Sequence, residues 1–124
     1  MITSYVTPNR DLLYLSIVGP LNEYSADDLV NEYYERQSSS LRQCILDLAA
    51  VDCTDEVGMT VLHRLSLLAQ VDGIEFSVVA QGSTAEGLIA EAAQRYWVPV
   101  VDGRDIPFVR RASSVSVRRP PRMP

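Results

Sequence analysis

The chain has 124 residues, 47% of them hydrophobic, a formal net charge of −5 and two cysteines. One domain of this length buries a core without disulfides or metals, no run reaches the roughly 18 apolar residues of a membrane span, and neither Cys44 nor Cys53 has a Cys or His at metal-ligand spacing. Residues 1–109 hold all 16 acids and six Arg, a net of −10, whereas residues 110–124 hold five Arg and no acid; an acidic body argues against nucleic acid as the main partner.

In chain order, residues 2–7 (ITSYVT) and 12–18 (LLYLSIV) are β-rich runs around the turn-forming "PNRD", which predicts a hairpin. In "EYSADDLVNEYYERQ" the residues Ala26, Leu29, Val30 and Tyr33 fall on one helical stripe, with Ser25 available to cap and Asp27 and Asp28 in the first turn. "QCILDLAAV", residues 43–51, is nearly continuous and apolar, as in a strand covered on both faces. A strand between Cys44 and Cys53 holds the two thiols outside disulfide reach, so both are expected to be reduced.

From Glu56 to Val71 a second helix is expected, with Val57, Val61, Leu65 and Leu68 as its apolar stripe and Met59, His63, Ser66 and Gln70 on the face turned away from the core. "IEFSVVA" at 74–80 reads as a strand. "STAEGLIAEAAQRYW" starts with Ser83 and Glu86 in capping-box spacing, and "VPVVDG" reads as a last short strand. The order β-β-α-β-α-β-α-β predicts an α/β domain with a mixed, mainly parallel sheet covered by helices, over residues 1–103. Residues 104–124, rich in Arg, Ser and Pro, are expected to form a mobile tail.

Chemistry-bearing motifs are scarce. There is no Gly-rich phosphate loop, no G-x-S-x-G elbow and no His pair, and His63, the one histidine, has no Cys or Ser nucleophile placed beside it. Asp47, Asp52, Asp55 and Glu56 are acidic neighbours of the kind that usually solvate a face or cap a helix. No catalytic residue, cofactor or metal is expected.

Two segments carry a family resemblance. "LLYLSIVGPLNEYSADDL" resembles the strand, Gly-x-Leu-Asp-like turn and first helix of the STAS domain of bacterial anti-sigma factor antagonists, with Asn22 at the Asp position. "ILDLAAVDCTDEVGMTVL" resembles that family's strand, Asp-Ser-Ser-Gly-Leu-Gly motif and second helix. Asp55 and Gly58 keep the motif, Met59 stands for Leu, and Glu56, Val57 and Thr60 replace Ser, Ser and Gly.

The resemblance implies that the second Ser of the motif is phosphorylated by a partner kinase. Val57 holds that position and has no hydroxyl. On periodicity alone Val57 packs inward and Asp55 or Thr54 caps the helix.

The expectation is therefore a cytoplasmic, monomeric or dimeric protein-binding regulator of bacterial partner switching. Its partner would be an anti-sigma factor or related kinase-type regulator, with no direct contact to nucleic acid or membrane. The expected binding surface comprises Asn22, Tyr24, Asp55, Glu56, Val57, Gly58, Met59 and His63. Candidate phosphorylation sites are Thr54, Thr60 and, behind two Arg in "RRASS", Ser113. The competing expectation is a structural STAS scaffold of a signalling assembly or an accessory subunit of a transporter.

Overall fold

The structure, a computed structural model, describes residues 1–102. The expected tail and Ser113 lie outside the described residues. The elements are β1 (Ile2–Val6), β2 (Leu12–Ile17), β3 (Gly19–Leu21), α1 (Glu23–Arg36), β4 (Gln43–Asp47), β5 (Val51–Thr54), α2 (Glu56–Asp72), β6 (Glu75–Val79) and α3 (Glu86–Arg95). A four-stranded sheet runs in the order β1-β2-β4-β6, antiparallel at β1–β2 and parallel elsewhere. The mixed, mainly parallel α/β architecture agrees with the sequence reading.

Alternation along the strands divides the sheet into two faces. Leu13, Leu15, Ile17, Cys44, Leu46, Phe76 and Val78 join α1, α2 and α3 in the main core. Tyr14, Ile45 and Val79 face the other way and form a second, smaller cluster with Leu12, Ala49 and Val101. The α1 stripe of Ala26, Leu29, Val30 and Tyr33 is buried as expected. Tyr33 is fully buried, and its hydroxyl is satisfied by donating to Asp72 at 2.7 Å.

Three local expectations are corrected. The apolar run 43–51 is not one strand: the Asp47 carboxylate accepts from the Ala49 amide at 2.9 Å, the chain turns through residues 48–50, and β5 then pairs in parallel with β3 as a separate two-stranded sheet. Ser83 does not cap α3. Its hydroxyl donates to the Val51 carbonyl at 2.7 Å and accepts from the Ala85 amide, so it ties a loop to β5 while Ala85 opens the helix without a side-chain cap.

The last strand shrinks to a single bridge between Val100 and Val78. Two features explain this. Trp97 (φ 59°) ends α3 in the left-handed region, with the Val98 amide donating back to Ala93, and Pro99 has no N–H to offer a ladder.

Candidate functional site

Parallel pairing of β3 with β5 sets Leu21 opposite Thr54, and each strand runs directly into a helix, α1 after Asn22 and α2 after Asp55. The two helices therefore start side by side. They also run in parallel, because Asp27 meets Arg64 at 2.8 Å and Tyr33 meets Asp72 further along. The Thr54 hydroxyl fastens the two strand ends by donating to the Leu21 carbonyl at 3.0 Å.

Each helix start is capped by the residue just before it. Asn22 accepts from the Tyr24 and Ser25 amides at 3.0 Å, while its own amide donates to the Ser25 hydroxyl at 2.8 Å, a complete capping box. The cap of α1 is thus Asn22 rather than Ser25, which takes the reciprocal position inside the first turn. Asp55 accepts from the Gly58 amide at 2.7 Å, confirming the expected cap of α2.

Gly58 seats one helix start against the other. A Cβ built on it would lie 2.1 Å from the Leu21 carbonyl oxygen and 3.0 Å from the Asn22 Cα, so only glycine lets α2 approach this closely. That contact fixes the rotation of α2 and corrects the expected helix phase. The buried stripe is Gly58, Met59, Val61, Leu62, Leu65 and Ala69. Met59, expected on the outer face, is 5% exposed and belongs to the core, whereas Val57, read by periodicity as inward, is 53% exposed.

Tyr24, on the first turn of α1, is 77% exposed. The result is a surface on which two exposed apolar side chains, Tyr24 and Val57, stand at neighbouring helix starts, with the exposed carboxylates of Glu23, Asp55 and Glu56 around them. Helix starts carry partial positive charge and tolerate these acids. The arrangement suits the docking of a protein surface. It offers no aligned nucleophile and base.

Other expected site residues are used differently. Gly58 is buried and contributes through its backbone. His63 is exposed, and its ring stacks on Tyr96, at the end of α3, with centroids 4.9 Å apart. The Thr60 hydroxyl donates to the Val57 carbonyl at 2.5 Å, so the two candidate phosphorylation hydroxyls among the described residues, on Thr54 and Thr60, are engaged by backbone.

Asp47 accepts from the Tyr14 hydroxyl at 2.5 Å, and burial together with that carboxylate pushes the Tyr14 phenol far above its usual range. Among the described residues no group of three or more His, Cys, Asp or Glu is arranged to hold a metal, and no helix is long and apolar enough to cross a membrane. Cys44 and Cys53 are both free thiols, one buried and one exposed. Sequence reasoning missed Leu67 and Val71, 48% and 84% exposed on the outer side of α2 beyond Val57. Their spacing of four residues was available, but in a helix apolar on several sides it did not say which side faces out.

The family model of the STAS domain matches residues 4–93. No curated protein matches the chain. Among solved structures, the fold is similar to the anti-sigma factor antagonist SpoIIAA in its unphosphorylated form, with a TM-score of 0.59 and 7% identity over 82% of this chain and 88% of that one. An RsbS variant from Moorella thermoacetica gives 0.57 and 17% over 82% and 86%. Murine Slc26a9, an anion transporter in the inward-facing state, gives 0.57 and 18% over 80% of this chain and 18% of the transporter. The chain spans 18% and 22% of the length of two Mglu structures that it also matches.

Proposed function

The chain belongs to the STAS domain family, and from that premise we propose that it is an anti-sigma factor antagonist-like binding protein of a partner-switching pathway. In this reading residues 1–103 form the folded domain and work in the cytoplasm, as a monomer or dimer. The face around Tyr24 and Val57, with Asn22, Asp55 and Glu56, holds an anti-sigma factor or related kinase-type regulator and so keeps it from its other target. The mechanism is occupancy and needs no cofactor.

The observation that carries this reading is the exposure of Val57 at a capped helix start that abuts a second one. By resemblance to the family, this is where a phosphorylatable serine stands. A phosphate there would be tolerated by the helix start, yet its roughly two negative charges would spoil a close apolar contact. With Val57 in that place, a partner kinase cannot switch this chain off at that position.

A pull-down from the native lysate tests the proposal when wild-type and Val57→Asp baits are compared. A regulator held by the wild type and lost with Val57→Asp supports it; equal recovery on both baits contradicts it. Light scattering addresses the scaffold or transporter-accessory reading, which requires a large homo-assembly or a membrane-bound host rather than a monomer or dimer.

A further inference from the structure

β1 is the outer strand of the four-stranded sheet, and its outer edge takes no part in the Tyr24–Val57 site. Met1 and Val18 exchange both backbone hydrogen bonds, at 2.9 and 3.0 Å, and the Thr7 amide donates to the Leu12 carbonyl at 3.1 Å. Bonded pairs alternate in an antiparallel ladder, so Thr3 and Tyr5 also turn their backbone groups to β2. Ile2, Ser4 and Val6 therefore point their N–H and C=O groups away from the sheet, where no described strand pairs with them.

Edge strands in soluble proteins are ordinarily blunted by a charge, a proline or a bulge. β1, with the sequence ITSYV, has none of these, and its register with β2 runs without a shift. The opposite edge of the sheet differs. Residues 99–101 lie along β6 there, bridged from Val100 to Val78.

Symmetry and charge point to the occupant. Ser4 is the middle residue of β1, and a second β1 turned about it sets Ser4 opposite Ser4 and Ile2 opposite Val6. These are the residues whose donors and acceptors point outward. Ile2 and Val6 are partly buried against the main core, so the pairing covers their remaining apolar surface with each other. The Ser4 hydroxyl donates to Glu32 at 2.5 Å and accepts from Arg36 at 3.0 Å, and Glu32 and Arg36 are paired at 3.1 Å. A two-fold axis at Ser4 brings this acid and base to the same acid and base of a second copy, with Glu32 of each facing Arg36 of the other.

We propose that two copies of this chain pair antiparallel through β1 about Ser4, joining their four-stranded sheets into one. The contact uses the same patch on both copies, so it closes at the dimer and does not grow into a fibre. Each dimer carries two Tyr24–Val57 faces.

Sedimentation of the full chain over a hundredfold range of concentration, with amide exchange followed by nuclear magnetic resonance at both ends of that range, tests this. A monomer–dimer equilibrium is expected in which the Ile2, Ser4 and Val6 amides gain protection with dimerisation, while Thr3 and Tyr5 are protected throughout. Ser4→Pro removes an outward N–H without touching the β1–β2 ladder and should weaken the dimer at least tenfold, whereas Ser4→Ala keeps the N–H and should remain dimeric. If Ser4→Pro does not fold, the exchange pattern of the wild type decides. A monomer at every concentration, or assembly that continues beyond the dimer, would overturn the proposal. So would a dimer in which the Ser4 amide exchanges as fast as in the monomer, since the copies would then meet through another surface.

Discussion

Gly58 and Leu21 are packed backbone to backbone: a Cβ on Gly58 would stand 2.1 Å from the Leu21 carbonyl oxygen, and no side-chain rotation relieves that clash. This one contact holds the starts of α1 and α2 together and decides which residues of α2 face outward.

Gly58→Ala should therefore destabilise the fold by about 3 kcal/mol or more, the upper end for overpacking, because backbone must move. Ala is the better helix former, so propensity acts in the opposite direction. Urea denaturation monitored by circular dichroism gives the value. A variant as stable as wild type would mean that α2 does not sit against Leu21.

Met59 and Val57 are two residues apart and should respond oppositely to truncation. Met59 is buried, so Met59→Ala is expected to cost about 2–5 kcal/mol. Val57→Ala, at an exposed position, should stay within about 0.5 kcal/mol. Thermal and denaturant melts of the two variants check the assigned rotation of α2, and equal losses would show it to be wrong.

The contrast between the two helices explains how much of this was legible. In α1 the buried residues Ala26, Leu29, Val30 and Tyr33 stand out against acids and amides, and spacing alone identifies the inner face. In α2 the residues Val57, Met59, Val61, Leu62, Leu65, Leu67, Leu68 and Val71 supply apolar side chains to several sides. Periodicity then leaves the phase open, and it is settled by a contact from Gly58 to Leu21, 37 positions away in the chain.

The pairing of β3 with β5 was hidden for a related reason. Strands of three and four residues carry almost no pattern, and their partnership rests on long-range register. The caps at Asn22 and Asp55 are local chemistry. The sequence offered Asp55 and Thr54 as caps of α2, of which Asp55 takes the position, but for α1 it pointed to Ser25, the other half of the box.

The two thiols should differ sharply in the native protein. Burial pushes Cys44 up to about 12, so it holds its proton and is shielded from reagent. Cys53 is exposed, with its thiol raised chiefly by its hydrogen bond to Asp52. At about pH 8, an excess of maleimide should modify Cys53 slowly and leave Cys44 untouched until denaturant is added. Mass mapping distinguishes the two, and equal labelling in the native state would contradict the placement of Cys44 in the core.

The central claim is that Val57 lies in a protein-binding contact which, lacking a hydroxyl there, is not switched off by phosphorylation at that position. Calorimetric titration of the regulator recovered from the lysate against wild type, Val57→Ser and Val57→Asp tests it most directly, with each variant first shown to be folded. Val57→Ser should bind like wild type. Val57→Asp should bind at least tenfold more weakly, on the order of 1.4 kcal/mol, because the helix start accepts the charge but an apolar contact does not. Identical affinity for all three folded proteins would place Val57 outside the interface and contradict the account.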